Sequence, residues 1–412
     1  MISDRIRQAR LAAGLTQEQL VARLLELGQK ITKAGLSKYE NGGSVPKADF
    51  LFALAEILNL RTSFFIAEPS YSVEWLHFRK RAGLGKRKQD QIKSSAQMTI
   101  EGQMWLRDTL YPDMAAEVAR PIKVNSIDEV EKAAVETRRF WRLGDGPIPS
   151  LTNALEDRGC VIVGIDEDIE GFDGLSGWVN ESIPVLVSRM NVPDDRFRYN
   201  LAHELGHLLL ITKGESEAQQ EEYAHRFAAA FLVPASTALN ELGAKRRSIS
   251  FQELALLKME YGLSMQAWVR RARDLEIISD SAYRTLFQAF GYRKWRKKEP
   301  VDYNGNEEPV KLRQMVYRAL EEKIISPERA SELCPGYNID EIFYEPAGGE
   351  GSLTAGELLK MPKAERLKYL AEAAEKAADE YRGNPELTAF EASGDGVWDD
   401  RAEEGRNMGG GF

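Results

Sequence analysis

Two histidines and a glutamate in one pentapeptide offer the clearest chemistry in this sequence. His203, Glu204 and His207 lie in the pattern HELGH, which contains two of the four histidines of the chain. Residues four apart share one face of a helix, so both imidazoles can bind one metal ion. Glu204 is then placed to take a proton from a water molecule, as the general base of metal-assisted peptide hydrolysis. The motif therefore predicts a Zn²⁺ site and an endopeptidase.

A catalytic zinc needs a third protein ligand and one open position. Residues 221–234 (EEYAHRFAAAFLVP) predict a second helix, ended by a proline, whose small residues let two helices approach closely. Glu221 is the predicted third ligand, which completes a His2Glu site, and the adjacent Glu222 is the alternative. His225, one turn beyond Glu221, is predicted to orient a ligand or steady the oxyanion, although it could also be a ligand itself.

Strands and a helix start precede the motif and must position it. We predict short strands over 161–165, 175–179 and 183–188, and a polar helix start over 194–198. A strand edge beside the metal helix can hold an extended substrate by main-chain hydrogen bonds.

The HELGH motif also has alternatives to a catalytic zinc site. Its residues could be surface residues or a structural metal site, or the chain could be a peptidase that has kept its ligands but lost its activity.

The N-terminal 66 residues carry a second signal. They predict five short helices, with Thr16 and Gln19 forming a capping box at the start of the second. They hold nine Lys or Arg residues against six Asp or Glu residues, whereas the whole chain has a net charge of -9. A basic end on an acidic protein favours contact with nucleic acid, and a helical bundle that contacts protein is the alternative.

The segments LTQEQLVA (15–22) and SKYENG (37–42) resemble the Xre/Cro-type helix-turn-helix family. The resemblance implies that the second helix crosses the phosphate backbone of double-stranded DNA and the third enters the major groove. It implies a phosphate contact for Gln17. It also implies a surface that faces DNA, formed by Thr32, Lys33, Ser37 and Lys38. Gly35 inside the third helix departs from the pattern and costs about 1 kcal/mol of helix propensity.

The motif region resembles the ImmA/IrrE family of bacterial metallo-endopeptidases. The resemblance is carried by residues 196–210 (RFRYNLAHELGHLLL) and 221–234, and it continues through 256–279. It implies a zincin-like domain with a small sheet and regulated cleavage of a partner repressor, often in mobile elements or stress responses.

The length and composition indicate several domains in a globular protein. The chain has 412 residues, of which 43% are hydrophobic and 29% charged. We expect a mainly α (α+β) fold. We also expect the chain to be located in the cytoplasm, because its start lacks an apolar signal core and its two cysteines are far apart. The predicted domains are the helix-turn-helix at 1–66, a helical connector at 71–145, the peptidase at 147–290, a helical segment of two short helices at 310–344, and an acidic amphipathic helix and tail at 352–412. The composition of residues 299–309 predicts a linker.

The acidic C-terminal segment leaves a rival function open. Residues 350–412 hold fourteen acidic and eight basic residues, and they resemble the tails of small antitoxins that wrap a toxin. Such a segment can fold on binding, or it can be a disordered solubilising tail. The rivals are therefore a transcription regulator without catalysis and an antitoxin that binds a toxin through its tail. A protein substrate or toxin is the expected partner, and a homodimer is a further hypothesis.

Overall fold

The computed structural model describes most of the chain and divides it into two units, Met1–Tyr337 and Asn338–Phe412. The described residues are 2–80, 84–114, 116–166, 169, 171–212, 214–334, 361–362, 365–366 and 368–371. The predicted acidic helix and tail therefore lie outside the described residues, apart from the last three short stretches. The fold is mainly helical with a small mixed sheet, which confirms the expected class.

The first five helices form a bundle around their own core. They are α1 (Ile2–Ala12), α2 (Gln17–Glu26), α3 (Lys33–Glu40), α4 (Ala48–Leu58) and α5 (Thr62–Ile66). The predicted capping box is present, since Thr16 accepts the amide of Gln19 and the Gln19 side chain accepts the amide of Thr16. Buried residues such as Ile6, Leu20 and Leu54 fill the core.

A buried ion pair fixes the C-terminal end of helix α3. Arg10 donates to both carboxylate oxygens of Glu40, at 2.5 and 2.8 Å, and each residue is less than a tenth exposed. The Gln17 amide also donates to Glu40, at 2.8 Å. The carboxylate therefore ties α1, α2 and α3 together.

A four-stranded sheet lies between two helical layers. Its order is β1-β4-β5-β3, with β3 parallel to β5 and the other pairs antiparallel. The strands are β1 (Val73–Lys80), β3 (Val161–Ile165), β4 (Phe172–Val179) and β5 (Ile183–Arg189), and a separate parallel pair joins β2 (Ile122–Lys123) to β6 (Leu210–Ile211). The predicted strands are all found, because their apolar runs are buried on both faces.

The remaining helices surround the sheet or follow it. They are α6 (Lys86–Leu110), α7 (Ile127–Phe140), α8 (Leu151–Glu156), α9 (Asp194–Leu209), α10 (Glu217–Leu232), α11 (Ala235–Leu242), α12 (Phe251–Tyr261), α13 (Met265–Asp274), α14 (Asp280–Tyr292), α15 (Lys311–Glu321) and α16 (Pro327–Leu333). Helix α6 packs on one face of the sheet, and α9 packs on the other against β4 and β5. The two helices expected within 310–344 are present up to residue 333.

Residues 71–145 are not helical throughout, which corrects the expected helical connector. Val73–Lys80 forms β1, an outer strand of the sheet. Val73 and Trp75 pack against the sheet core, whereas Glu74 and Leu76 are exposed. This alternation has the two-residue period of a half-buried strand, and packing against β4 stabilises it.

Helices α9 and α10 cross at a glycine. A β-carbon on Gly206 would lie 3.2 Å from the backbone Cα of Ala224 and 3.2 Å from the Phe227 ring. The helices therefore approach as closely as the small residues of α10 predicted, and a larger side chain at position 206 would separate them.

Residues 299–309, whose composition predicted a linker, instead brace the core. Glu307 accepts the amides of Leu151 and Thr152, at 3.1 and 2.9 Å, and lies 3.4 Å from Arg198 of α9. Glu299 accepts the amides that open α13 in the same way. Carboxylates satisfy the unpaired amides of helix N-termini, so this segment is fixed to both helices.

We expect Arg10→Met to destabilise the N-terminal bundle by about 3 kcal/mol, because it leaves the Glu40 carboxylate buried without its cation. Urea unfolding followed by circular dichroism measures the change. The matched control is Lys33→Met, since Lys33 pairs with Glu18 at the surface, where both side chains are 60% exposed. Equal effects of the two substitutions would contradict the importance of the buried pair.

Candidate metal centre

Helix α9 presents both motif histidines to one point. His203 and His207 are buried, and their Nε2 atoms lie 3.1 Å apart. The helix begins at Asp194, where the polar start was predicted, and Leu201, Leu205 and Leu208 pack in the core beneath it. Burial of the apolar side of α9 therefore fixes the direction of both imidazoles.

Glu221 of α10 faces the histidine pair. Its two carboxylate oxygens lie 3.4 Å from Nε2 of His203 and 3.2 Å from Nε2 of His207. Ligand atoms about 2.0 Å from a tetrahedral zinc lie about 3.3 Å apart. Each imidazole nitrogen lies at about this distance from one oxygen of the carboxylate. The side chain of Glu221 is 37% exposed, which leaves one side of the group open to solvent. Among the described residues, these three form the one group with metal-binding geometry.

Glu222, the alternative ligand, does not join the group. It is exposed, and its carboxylate accepts a hydrogen bond of 3.2 Å from Gln219. Adjacent residues on a helix point about 100° apart, so only one of the two glutamates can face α9. Hydrogen bonds from His203 and His207 hold the pKa of the Glu221 carboxyl well below its usual value. The carboxylate is therefore held in the charged form that a cation requires.

Glu204 lies fully buried against strand β4. The Ser176 hydroxyl donates to one carboxylate oxygen at 2.9 Å. A β-carbon on Gly174 would come within 2.4 Å of the other oxygen, so the strand needs glycine there. Gly174 and Ser176 are two apart and share one face of β4. The sequence did not predict the role of either residue, because it depends on the packing of β4 against α9.

His225 lies beside the histidine pair but outside the metal-binding group. Its ring centroid is 4.4 Å from that of His203, and the Tyr199 hydroxyl is 3.0 Å from its Nδ1 atom. A cavity of about 420 Å³ opens here, lined by Tyr199, Glu221, His225 and Arg270 among others. A substrate in this cavity would meet both the His225 ring and the exposed side of Glu221.

Of the five predicted DNA contacts, Gln17 begins α2, Thr32 is the residue before α3, and Lys33, Ser37 and Lys38 lie on α3. Thr32, Lys33 and Lys38 are exposed, and Gln17 and Ser37 are partly buried. Thr32 caps α3 by accepting the amide of Gly35, and the Ser37 hydroxyl accepts a hydrogen bond from the Asn41 side chain. The two lysines supply the positive charge of this surface.

Comparison with known families identifies two domains in the chain. Residues 6–65 match the helix-turn-helix family, and residues 156–273 match the IrrE N-terminal-like domain of the M78 peptidases. The first match covers α1 to α5, and the second covers the sheet strands β3 to β5 together with the helices of the metal-binding group. A search of curated proteins found no match to this chain.

In the part of the chain that the structure describes, none of the helices combines the length and the hydropathy needed to cross a lipid bilayer.

We expect the purified chain to bind about one zinc per molecule and Glu221→Ala to lose most of it, because two imidazoles alone leave the ion without its third protein ligand. Atomic absorption after dialysis measures the stoichiometry. Glu222→Ala is the matched control and should keep its zinc. Loss of zinc from the control but not from Glu221→Ala would reverse the assignment.

Proposed function

Since the chain joins an Xre-type helix-turn-helix domain to an ImmA/IrrE-type peptidase domain, we propose that it is a DNA-binding regulator that cleaves a partner repressor or another regulatory protein. The grouping of His203, His207 and Glu221, each of which offers a ligand atom within 4.8 Å of the others, carries this proposal. The setting is a stress response or a mobile element, as the family resemblance implies, or a toxin-antitoxin pair, as the resemblance of the acidic tail to antitoxin segments implies.

The residues around the ligand group divide the peptidase chemistry among them. A bound zinc ion supplies a Lewis acid that polarises the scissile carbonyl and makes water more acidic. Glu204 takes the proton of the attacking water and passes it to the leaving amine. The Ser176 hydroxyl holds one oxygen of Glu204 and so fixes the direction of the carboxylate. His225, oriented by Tyr199, steadies the oxyanion.

The ion pair beneath α3 also prepares the DNA contact. The Gln17 amide nitrogen carries two hydrogens, and one is donated to Glu40. The other remains for a phosphate oxygen, with the amide already oriented. Lys33 and Lys38 add positive charge on the same surface, and Thr32 and Ser37 add hydroxyl groups, so α3 is suited to a polyanionic groove.

We expect Glu204→Gln to retain zinc and to lose cleavage of a co-expressed partner by at least about 100-fold, because the amide cannot accept the proton. Ser176→Ala should lower the rate by a smaller factor, since it removes only the orienting hydrogen bond. Gel analysis of the partner, with zinc content measured in parallel, tests both. Cleavage by Glu204→Gln at the unaltered rate would exclude Glu204 as the base, and the same outcome with zinc-free protein would exclude metal catalysis.

For DNA binding, we expect Lys33→Ala/Lys38→Ala to weaken affinity for a selected DNA duplex and to reduce the slope of log K against log salt concentration by about 2, because two phosphate contacts are lost. Fluorescence anisotropy at several salt concentrations measures the slope. Lys132→Ala, an exposed change on α7, is the control and should leave the slope unchanged. An unchanged slope in the double variant would place the DNA elsewhere.

A further inference from the structure

Strand β1 covers the edge of β4, the strand against which the Glu204 side chain of α9 is buried. The sheet order β1-β4-β5-β3 makes β4 an inner strand, but without β1 it would be the outer strand. In the antiparallel register, His77 pairs with Ser176 and Arg79 with Gly174. These two β4 residues are the ones that contact the Glu204 carboxylate. The second half of β1 therefore runs directly past the candidate catalytic base.

A peptide held by main-chain hydrogen bonds needs an unpaired sheet edge. Strand β5, which also packs against α9, is paired on both sides and offers no edge. The other outer strand, β3, is separated from β4 by β5. The row of β4 amides and carbonyls that would bind an extended substrate beside Glu204 is therefore the row that β1 occupies.

We infer that β1 is an intramolecular occupant of the substrate-strand position and that an extended segment of the partner protein must displace it before cleavage. This inference rests on the proposed peptidase function and adds its regulation. The peptidase is inactive while β1 is paired with β4, and it becomes active when a strand of the partner protein replaces β1.

The contacts of β1 show how exchange can occur. Its first half is anchored by Tyr71, Val73 and Trp75, which pack against the sheet core, and by hydrogen bonds of 3.1 and 3.2 Å between Ser72 and Asn180. An irregularity at Leu76 then breaks the pairing register before the half that passes Glu204. A bulge interrupts the ladder of hydrogen bonds, so the second half is held less firmly than the first.

The same contacts define the incoming segment. Because Val73 and Trp75 occupy alternate positions against the core, a displacing strand needs apolar residues two apart. It must also approach closely at Gly177, where a β-carbon would lie 2.5 Å from the Glu74 carbonyl oxygen. The fitting partner is therefore an extended segment with alternating apolar residues, and β1 competes with it at an effective concentration on the order of millimolar.

Binding of a synthetic peptide with the sequence of residues 71–80 (YSVEWLHFRK) tests the inference. The full-length chain carries Glu204→Gln throughout, so that the peptide stays intact. Val73→Ser/Trp75→Ser removes the anchors of β1 and should lower the Kd of the fluorescent peptide by about ten-fold or more, because the competing strand is released. His77→Pro, which keeps the anchors but removes one amide of the second half, should act in the same direction if the double variant fails to fold.

We call the chain with Val73→Ser/Trp75→Ser the released chain. Gly177→Ala, added to the released chain, should abolish peptide binding, since the added β-carbon would clash with a strand paired to β4. Equal affinity of the released and unreleased chains, or binding that survives Gly177→Ala, would overturn the inference. So would zinc-dependent cleavage of the chain between residues 73 and 80 when Glu204 is restored, because β1 would then be a substrate. A failed peptidase assignment is distinguishable: peptide binding would follow the pattern above, yet the released chain with Glu204 restored would cleave nothing.

Discussion

The close approach of α9 and α10 is the constraint on which the metal-binding group depends. Each helix alone carries an incomplete set of ligands, two imidazoles on α9 and one carboxylate on α10. Gly206 and Ala224 leave room for the two backbones to come together, and only then does the Glu221 carboxylate lie within 3.4 Å of both imidazole Nε2 atoms. A small side chain in the helix interface thus determines chemistry one turn away from it.

The sequence predicted the parts of this arrangement that depend on local periodicity. The spacing of His203 and His207, the small residues of α10 and the capping box at Thr16 are all properties of one segment, and each was found. In the structure Glu221 faces the histidine pair and Glu222 does not, because the 3.6-residue repeat places only one of them opposite α9. Local patterns are reliable where a single helix decides the geometry.

The missed features depend on pairing between distant segments. The role of Gly174 and Ser176 can be predicted only if it is known that β4 packs against α9, and no pattern within β4 indicates this packing. The strand at 73–80 becomes visible only through its partner, since its alternation is short and follows a helical domain. Glu299 and Glu307 read as linker residues by composition, yet they bind the amides of helices more than thirty residues away in sequence. Long-range hydrogen bonds of this kind leave no periodic trace in a single sequence.

The short connection between the DNA-binding bundle and the sheet has a thermodynamic consequence. Helix α5 ends at Ile66 and β1 begins at Val73, and the Arg5 side chain of α1 pairs with Glu101 of α6 at 2.5 Å. Coupling between two sites is reciprocal. Suppose that a DNA duplex bound to the bundle altered occupancy of the β4 edge by a certain factor through this connection. A protein strand bound at that edge must then alter affinity for the duplex by the same factor. Binding of DNA and binding of the target protein would thus both be linked to one conformational equilibrium.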